Sequence, residues 1–112
     1  MNILFLCTSN VHRSKTAEIF FAGLGLPHEF RSAGLSAKYC KKNNSVLCNT
    51  EMLKWADWIF VMEDSHHARI CEHTGDEFAL KIKVLDIPDN FAYMQPELIS
   101  LIKEKIEKYV IL

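Results

Sequence analysis

Short apolar runs alternate with segments of helical periodicity along this chain. Residues 3–6 are a continuous apolar run, which is typical of a strand buried on both faces of a parallel sheet. Apolar positions at helical spacing follow from Ser14 onward until Gly25 and Pro27, so a helix is predicted there. Its predicted inner face consists of Ala17, Phe20, Phe21 and Leu24. The amino end therefore predicts a strand, a tight loop and a helix in that order.

The middle of the chain predicts two more strands and two more helices. We expect a second strand at residues 28–32, a loop at 33–44 and a helix between residues 45 and 56, with Leu53 and Ala56 facing inward. Residues 58–62 are the clearest predicted strand in the middle of the chain. The helix after it should be capped by Asp64 or Ser65 and end at Gly75.

The carboxyl end predicts a fourth strand and a last helix. Residues 80–85 are rich in branched apolar side chains, which favours a strand. Pro96 suits the first turn of a helix. Apolar residues repeat on one face of that helix, namely Leu98, Ile102, Ile106 and Tyr109.

Alternating strands and helices indicate an α/β fold with right-handed crossovers. We predict one domain over residues 1–112: a three-layer arrangement with a four-stranded parallel sheet in the order 2-1-3-4 and helices on both faces. Functional groups in such sheets gather at the carboxyl ends of the strands. Loops that follow strands are therefore the places to look for a site.

Composition and charge narrow the classes of partner. The chain is 49% hydrophobic and 24% charged, as in globular proteins, and its formal net charge of -1 gives no general attraction for nucleic acid or an anionic membrane. The amino terminus has no signal-peptide pattern, so we expect a cytoplasmic protein. Its four cysteines, Cys7, Cys40, Cys48 and Cys71, are then expected to be reduced.

The segment from Cys7 to Ser14 has the spacing of an oxyanion site. A loop between a strand end and a helix start can turn successive backbone N–H groups toward one point, where the helix terminus adds partial positive charge. Arg13 can meet two phosphoryl oxygens with its planar guanidinium. Such surroundings favour the thiolate of Cys7, the nucleophilic form, and Ser14 could donate its hydroxyl to that sulfur or simply cap the helix.

Attack of sulfur on a phosphate monoester also needs a proton donor at the leaving oxygen. The loop after the fourth strand reaches the same edge as Cys7 and contains Asp86 and Asp89. Either aspartate could be the acid. Asp64 lies on that edge too but is interpreted more simply as a helix cap.

Two other groups of residues permit alternative interpretations. His66, His67, Cys71 and His73 could suggest zinc, but no second ligand cluster accompanies them, so a solvated helix is the better explanation. Tyr39 could touch a substrate or only pack within its loop. We expect no metal and no organic cofactor.

The chain resembles the low-molecular-weight protein tyrosine phosphatases, whose signature is a cysteine, five residues and then Arg-Ser, with an asparagine inside the loop. Those positions are Cys7, Asn10, Arg13 and Ser14 here. The resemblance continues through residues 16–18, 31–34, 56–57 and 89–91 and so covers nearly the whole chain. It implies a phosphate-binding loop after the first strand.

The resemblance also implies roles for individual residues. Asp89 would be the general acid and base, with Asp86 as a second choice, and Asn10 would hold the loop in shape. Phe91 would flank the substrate ring. Substrate-binding positions would include Thr8, Ser9, Asn10, Val11 and His12, with Val11 facing the pocket as in tyrosine-directed members, where phosphoarginine-directed relatives carry threonine.

This chain departs from the family pattern at several positions. Ser9 replaces a glycine, which would strain the loop if that backbone needs a positive φ. His12 replaces a second cysteine, so a protective disulfide with Cys7 cannot form. Lys15 replaces a proline, and the chain is shorter than typical members.

The resulting functional hypothesis is a protein tyrosine phosphatase that works through a phosphocysteine. Its partner would be a phosphotyrosine-containing protein or a small aryl phosphate, with no nucleic acid or membrane partner, and the protein would be a monomer or weak dimer. Two alternatives remain. An arsenate reductase of the same fold would need resolving cysteines, and Cys40 and Cys48 lie in a different part of the chain from those of the related reductases. A non-catalytic phosphate-binding regulatory module is disfavoured by the presence of both Cys7 and Asp89.

Overall fold

Four parallel strands form one sheet in a computed structural model that describes residues 1–112. The strands are β1 (Asn2–Cys7), β2 (Glu29–Gly34), β3 (Trp58–Val61) and β4 (Ile82–Val84), in the order β2-β1-β3-β4. The parallel register pairs Cys7 with Gly34 and Leu6 with Val61. The predicted fold class and strand order are therefore confirmed.

Five helices accompany this sheet, and all but the second pack on its two faces. They are α1 (Arg13–Ala22), α2 (Ala37–Asn43), α3 (Thr50–Trp55), α4 (Asp64–Thr74) and α5 (Pro96–Ile106), with a 3-10 turn at Ala79–Lys81. None of the helices is long and apolar enough to cross a membrane.

Two hydrophobic cores lie on opposite faces of β1 because successive side chains of a strand alternate. Ile3 and Phe5 belong to a core that includes Phe21 from α1 and Ile102 from α5. Leu4 and Leu6 belong to the other core, which includes Leu53 from α3 and Ile70 from α4. Burial on both faces explains the continuous apolar run of β1.

The predicted loop at residues 33–44 is wrong because it contains α2. Ser36 caps this helix by accepting a hydrogen bond from the Tyr39 N–H, and Asn44 ends it in the left-handed region at a φ of 53°. Only Cys40 is buried in α2, so the sequence shows no apolar face that periodicity could detect.

Several predicted boundaries also need correction. Glu63, and not Asp64 or Ser65, is the cap residue of α4. The fourth strand starts only at Ile82, because Leu80 lies in the 3-10 turn with its side chain exposed. Leu24 and Tyr109 lie beyond the ends of α1 and α5 and are partly exposed, so neither completes the predicted inner face.

Candidate active site

Cys7 ends β1 directly before a loop that leads into α1. None of the backbone N–H groups of residues 8–14 donates a hydrogen bond to another part of the protein. Asn10 adopts a φ of 55°, the left-handed conformation that asparagine tolerates well, and this bends the loop. Ser9 does not have a positive φ, so the strain considered for that residue is absent. The loop thus offers several free amide donors beside the amino end of α1.

The Arg13 guanidinium is buried, and hydrogen bonds to one of its nitrogens fix its position. Its Nη1 donates to Glu63 Oε2 at 2.6 Å and to the carbonyl oxygen of Ile87 at 2.8 Å. These two bonds use both hydrogens of Nη1, so the edge formed by Nε and Nη2 is left to meet an oxyanion in bidentate fashion. Asp89 Oδ1 lies 3.6 Å from Nε.

A buried hydrogen-bond network connects the loop to β2. Asn10 Nδ2 donates to Ser14 Oγ at 2.8 Å and to Ser32 Oγ at 2.9 Å. Ser14 Oγ lies 2.9 Å from Cys7 Sγ, and its only other acceptor is the Ala33 carbonyl oxygen at 3.5 Å. Because Ser14 Oγ accepts from Asn10, its own hydrogen is free to point at the sulfur.

Gly34 allows the loop to lie close to β2 and α2. A Cβ added at Gly34 would lie 2.7 Å from the Thr8 carbonyl oxygen and would overlap the Cys40 sulfur. The Leu35 N–H donates to the carbonyl oxygens of Cys7 and Thr8 at 2.9 and 3.0 Å. Glycine is therefore required at this strand end by close approach of the backbone.

A cavity of about 360 Å³ opens at the carboxyl ends of the strands. The residues that line it are Cys7, Ser9, His12, Arg13, Asp89, Asn90 and Phe91. The candidate nucleophile, the candidate phosphate clamp, the aromatic side chain and one aspartate therefore line a single cavity. Val11, which we expected to face the pocket, is half-buried and is not part of the lining, and Thr8 and Asn10 are not part of it either.

The two candidate acids occupy different positions in the loop after β4. Asp89 lines the cavity, and 66% of its side chain is exposed. Asp86 is exposed, has a φ of 59° and does not line the cavity. Further along this loop, the Met94 N–H donates to Thr16 Oγ1 at 2.9 Å and fixes the segment to α1. The geometry favours Asp89 over Asp86.

Glu63 and His66 border the candidate site, and the sequence interpretation placed neither there. The interpretation of His66 as part of a solvated helix face is wrong, because this residue is buried. The hydrogen bond from Arg13 holds the pKa of Glu63 below its ordinary value. Burial, and then the nearby Arg13 charge, lowers the pKa of His66 to about 4. Glu63 comes shortly after β3, so the rule that strand ends meet at one edge could have identified it.

The remaining cysteines and histidines form no metal cluster and no disulfide. All four cysteines are free thiols. No group of three or more His, Cys, Asp or Glu side chains is arranged to hold a metal ion. Burial raises the pKa of Cys48 to about 11, which keeps it protonated. Tyr39 is partly exposed on α2 and does not line the cavity.

Comparison with known proteins finds relatives only among solved structures. No family model matches the chain, and no curated protein matches it. YwlE arginine phosphatase from Geobacillus stearothermophilus shares 26% identity, covering 96% of this chain and 91% of its own, with a TM-score of 0.73. A low molecular weight protein tyrosine phosphatase from T. tengcongensis shares 27% identity, covering 96% and 99%, with a TM-score of 0.68.

A third structure extends the similarity to lower identity. SP-PTP, a low molecular weight protein tyrosine phosphatase from Streptococcus pyogenes, is 14% identical and superimposes with a TM-score of 0.78, covering 98% of this chain and 93% of its own. The resemblance drawn from the sequence is thus confirmed. The chain is a structural relative of the low-molecular-weight protein tyrosine phosphatases, with their parallel sheet and a cysteine at the end of its first strand.

Proposed function

We propose that this protein is a cysteine-dependent protein tyrosine phosphatase that hydrolyses phosphomonoesters. One observation supports this most strongly: Cys7, Arg13 and Asp89 line one cavity, beside a loop whose backbone N–H groups have no other partner. A nucleophile, an oxyanion clamp and a proton donor are the three parts that the reaction needs. Each step below uses only groups of this chain.

In the first step, Cys7 Sγ attacks phosphorus while the loop amides and the Nε–Nη2 edge of Arg13 hold the phosphoryl oxygens. The bond from phosphorus to the ester oxygen breaks, and Asp89 gives its proton to that oxygen. The products of this step are the free alcohol or phenol and a phosphocysteine on Cys7. The Nε contact with Asp89 places the acid beside the clamped group.

In the second step, a water molecule attacks the phosphocysteine. Asp89, now a carboxylate, takes a proton from that water, and the phosphorus–sulfur bond breaks to release phosphate. The thiolate of Cys7 leaves with the Ser14 hydroxyl at hydrogen-bond distance, 2.9 Å from the sulfur. Ser14 therefore stabilises the same anion before attack and on departure.

Phe91 in the cavity lining favours an aryl phosphate, such as a phosphotyrosine-containing protein, because its ring can pack against the substrate ring. Phosphoarginine is the second candidate, since a structure with 26% identity is an arginine phosphatase. The support from Val11 for phosphotyrosine is weaker than expected, because that residue does not line the cavity. Turnover of phosphotyrosine and phosphoarginine peptides by one preparation separates the two substrates.

The direct test is hydrolysis of an aryl phosphate in the presence of a chelator. We expect turnover by the wild type, no turnover by Cys7→Ser and unchanged turnover by Cys71→Ser, a control thiol that is half-exposed and does not line this cavity. Inorganic phosphate should still bind to Cys7→Ser. Phosphate binding without turnover in the wild type would instead indicate a regulatory module.

A further inference from the structure

His66 lies in the first turn of α4, and both of its ring nitrogens make hydrogen bonds. Its side chain is buried, with 4% of the residue exposed. Nδ1 lies 3.1 Å from the Glu63 N–H, and Nε2 lies 3.0 Å from Thr8 Oγ1. Glu63 and His66 also form a capping box at the start of α4. One imidazole therefore joins a helix terminus to the loop that follows Cys7.

The partners of the ring fix its tautomer. A backbone N–H can only donate, so Nδ1 must carry a lone pair toward Glu63. In the neutral imidazole the proton is then on Nε2, which donates to Thr8 Oγ1. Protonation of Nδ1 would break the bond to the Glu63 N–H. Only this one neutral form satisfies both contacts.

The two hydrogen bonds of His66 reach opposite ends of the proposed phosphate-binding loop, which runs from Cys7 to Arg13. Thr8 directly follows Cys7, and Glu63 holds Nη1 of Arg13 at 2.6 Å. His66 thus contacts one end of the loop directly and reaches the other end through Glu63. A shift of His66 would change the position of Arg13 relative to Cys7.

We propose that neutral His66 is a positioning residue for phosphoryl transfer, which sets the spacing of Cys7 and Arg13 through Thr8 and Glu63. This inference rests on the proposed phosphatase function. Hydrogen bonds to residues that hold a reacting group affect the rate, because a displacement of about 1 Å in a reacting group can slow the reaction about a hundredfold. His66 touches no substrate itself and does not line the cavity.

The surrounding charges keep His66 in its neutral form. Besides Glu63 and Arg69 on its own helix, it faces Arg13 from α1 and Asp89 from the loop after β4. Burial and the two arginines disfavour the imidazolium, and the two carboxylates favour it, with a net result that lowers the pKa to about 4. The contacts therefore stay constant from neutral pH down to mildly acidic pH.

The test compares His66→Leu, His66→Gln, Thr8→Val and the double variant Thr8→Val/His66→Leu. The substrate is para-nitrophenyl phosphate, and inorganic phosphate affinity is measured by calorimetry on the same samples. Glutamine can both accept from Glu63 and donate to Thr8, so we expect it to restore most of the activity. His67→Gln, on the same helix, is the matched control and should leave turnover unchanged.

We expect kcat/KM to fall at least about tenfold in His66→Leu and in Thr8→Val, with mainly kcat affected. The double variant should lose no more than the worse single variant, because both disrupt one connection. Folded His66→Leu and Thr8→Val with wild-type kcat/KM would overturn the inference. Additive losses without rescue by glutamine would also overturn it, because they indicate general destabilisation.

Thr8→Val keeps the inference testable even when His66→Leu does not fold. If the wild type has no turnover, the proposed function fails, and the phosphate affinity of the same variants still tests His66. A separate measurement is the ¹⁵N spectrum of the imidazole, which should show the Nε2–H tautomer from neutral pH down to about one unit above its pKa of about 4. An Nδ1–H tautomer would contradict the assignment.

Discussion

Arg13 Nη1 donates a hydrogen bond to Glu63 Oε2 at 2.6 Å across the carboxyl edge of the sheet. Arg13 is buried, so its charge needs a partner, and Glu63 supplies one from the start of α4. Because Glu63 occupies Nη1, it orients the Nε–Nη2 edge that we propose binds the oxyanion. Under the proposed function, Glu63 therefore supports Arg13 as the phosphate clamp.

Replacing Glu63 tests this support. Glu63→Gln keeps the shape but removes the charge that holds Arg13, so we expect kcat/KM for an aryl phosphate to fall about tenfold. Steady-state kinetics of the variant and the wild type measure this change in kcat/KM. Asp64→Asn, the exposed neighbour, is the control and should leave kinetics unchanged. Equal kinetics of Glu63→Gln and wild type would show that Arg13 is oriented without Glu63.

The acid is tested by comparing the two aspartates with two leaving groups. Asp89→Asn should lower kcat/KM, which reports the first step, by about a hundredfold or more for an alkyl or phenyl phosphate, because the leaving oxygen then departs without a proton. The loss should be much smaller with dinitrophenyl phosphate, whose phenolate leaves readily. Asp86→Asn should retain activity with both substrates. The opposite ranking would move the acid role to Asp86.

Gly34 is predicted to be intolerant of any side chain. Gly34→Ala places a methyl group 2.7 Å from the Thr8 carbonyl oxygen and against the Cys40 sulfur. We expect the free energy of unfolding to fall by about 2 kcal/mol or more, as for other overpacked sites. Urea denaturation measures this. Gly23→Ala, whose added carbon would have ordinary contacts at 3.5 Å, is the control and should change stability little.

The free energy of unfolding should fall at acidic pH because the unfolded chain takes up protons at His66 and Glu63 more readily than the folded protein does. The pKa of His66 is about 4 in the folded protein against an ordinary value of 6.5, so the unfolded chain binds one more proton between these pH values. The contribution of neutral His66 to the free energy of unfolding is complete above about pH 6.5 and is lost as pH falls toward about 4. The loss is no more than about 1.4 kcal/mol per pH unit. Glu63, whose pKa is also lowered, adds to the loss below its ordinary value of 4.5.

Urea denaturation at a series of pH values checks this prediction. His66→Gln should flatten the pH dependence between about 6.5 and 4, because one titrating group is removed. His67→Gln is the matched control and should leave the profile as in the wild type. Identical profiles for wild type and His66→Gln would show that His66 is not buried in its neutral form.

Sequence patterns predicted the parts of this fold that depend on local periodicity. The buried run of β1, the amphipathic α5 with Leu98, Ile102 and Ile106, and the sheet order were all confirmed. α2 was missed because Cys40 is its only buried residue, so it has no apolar repeat to detect. The periodicity of apolar residues thus predicts helices and strands that bury an apolar face. It misses helices that are held by end caps and loop contacts.

The candidate site can be predicted from sequence where its residues are close together along the chain. Cys7, Arg13 and Ser14 lie within eight consecutive positions. That spacing is common by chance, and it predicts oxyanion chemistry only together with the strand before it, the helix after it and the later aspartates. Glu63 and His66 reach the site only through the pairing of β1 with β3, which brings together residues about fifty positions apart. Histidines on a polar helix are typical of a solvated face, and the burial of His66 depends on contacts with Thr8 that local sequence does not encode.

The account depends most directly on a covalent phosphoryl–cysteine intermediate. Asp89→Ala should slow breakdown of this intermediate, and dinitrophenyl phosphate should still form it because its phenolate leaves without a proton. Rapid quenching during turnover of that substrate, followed by mass spectrometry, should then find the phosphoryl group on Cys7. Release of the aryl alcohol should show a burst close to one equivalent of enzyme. A steady rate without a burst, with the phosphoryl group on no residue or on a residue other than Cys7, would contradict the account.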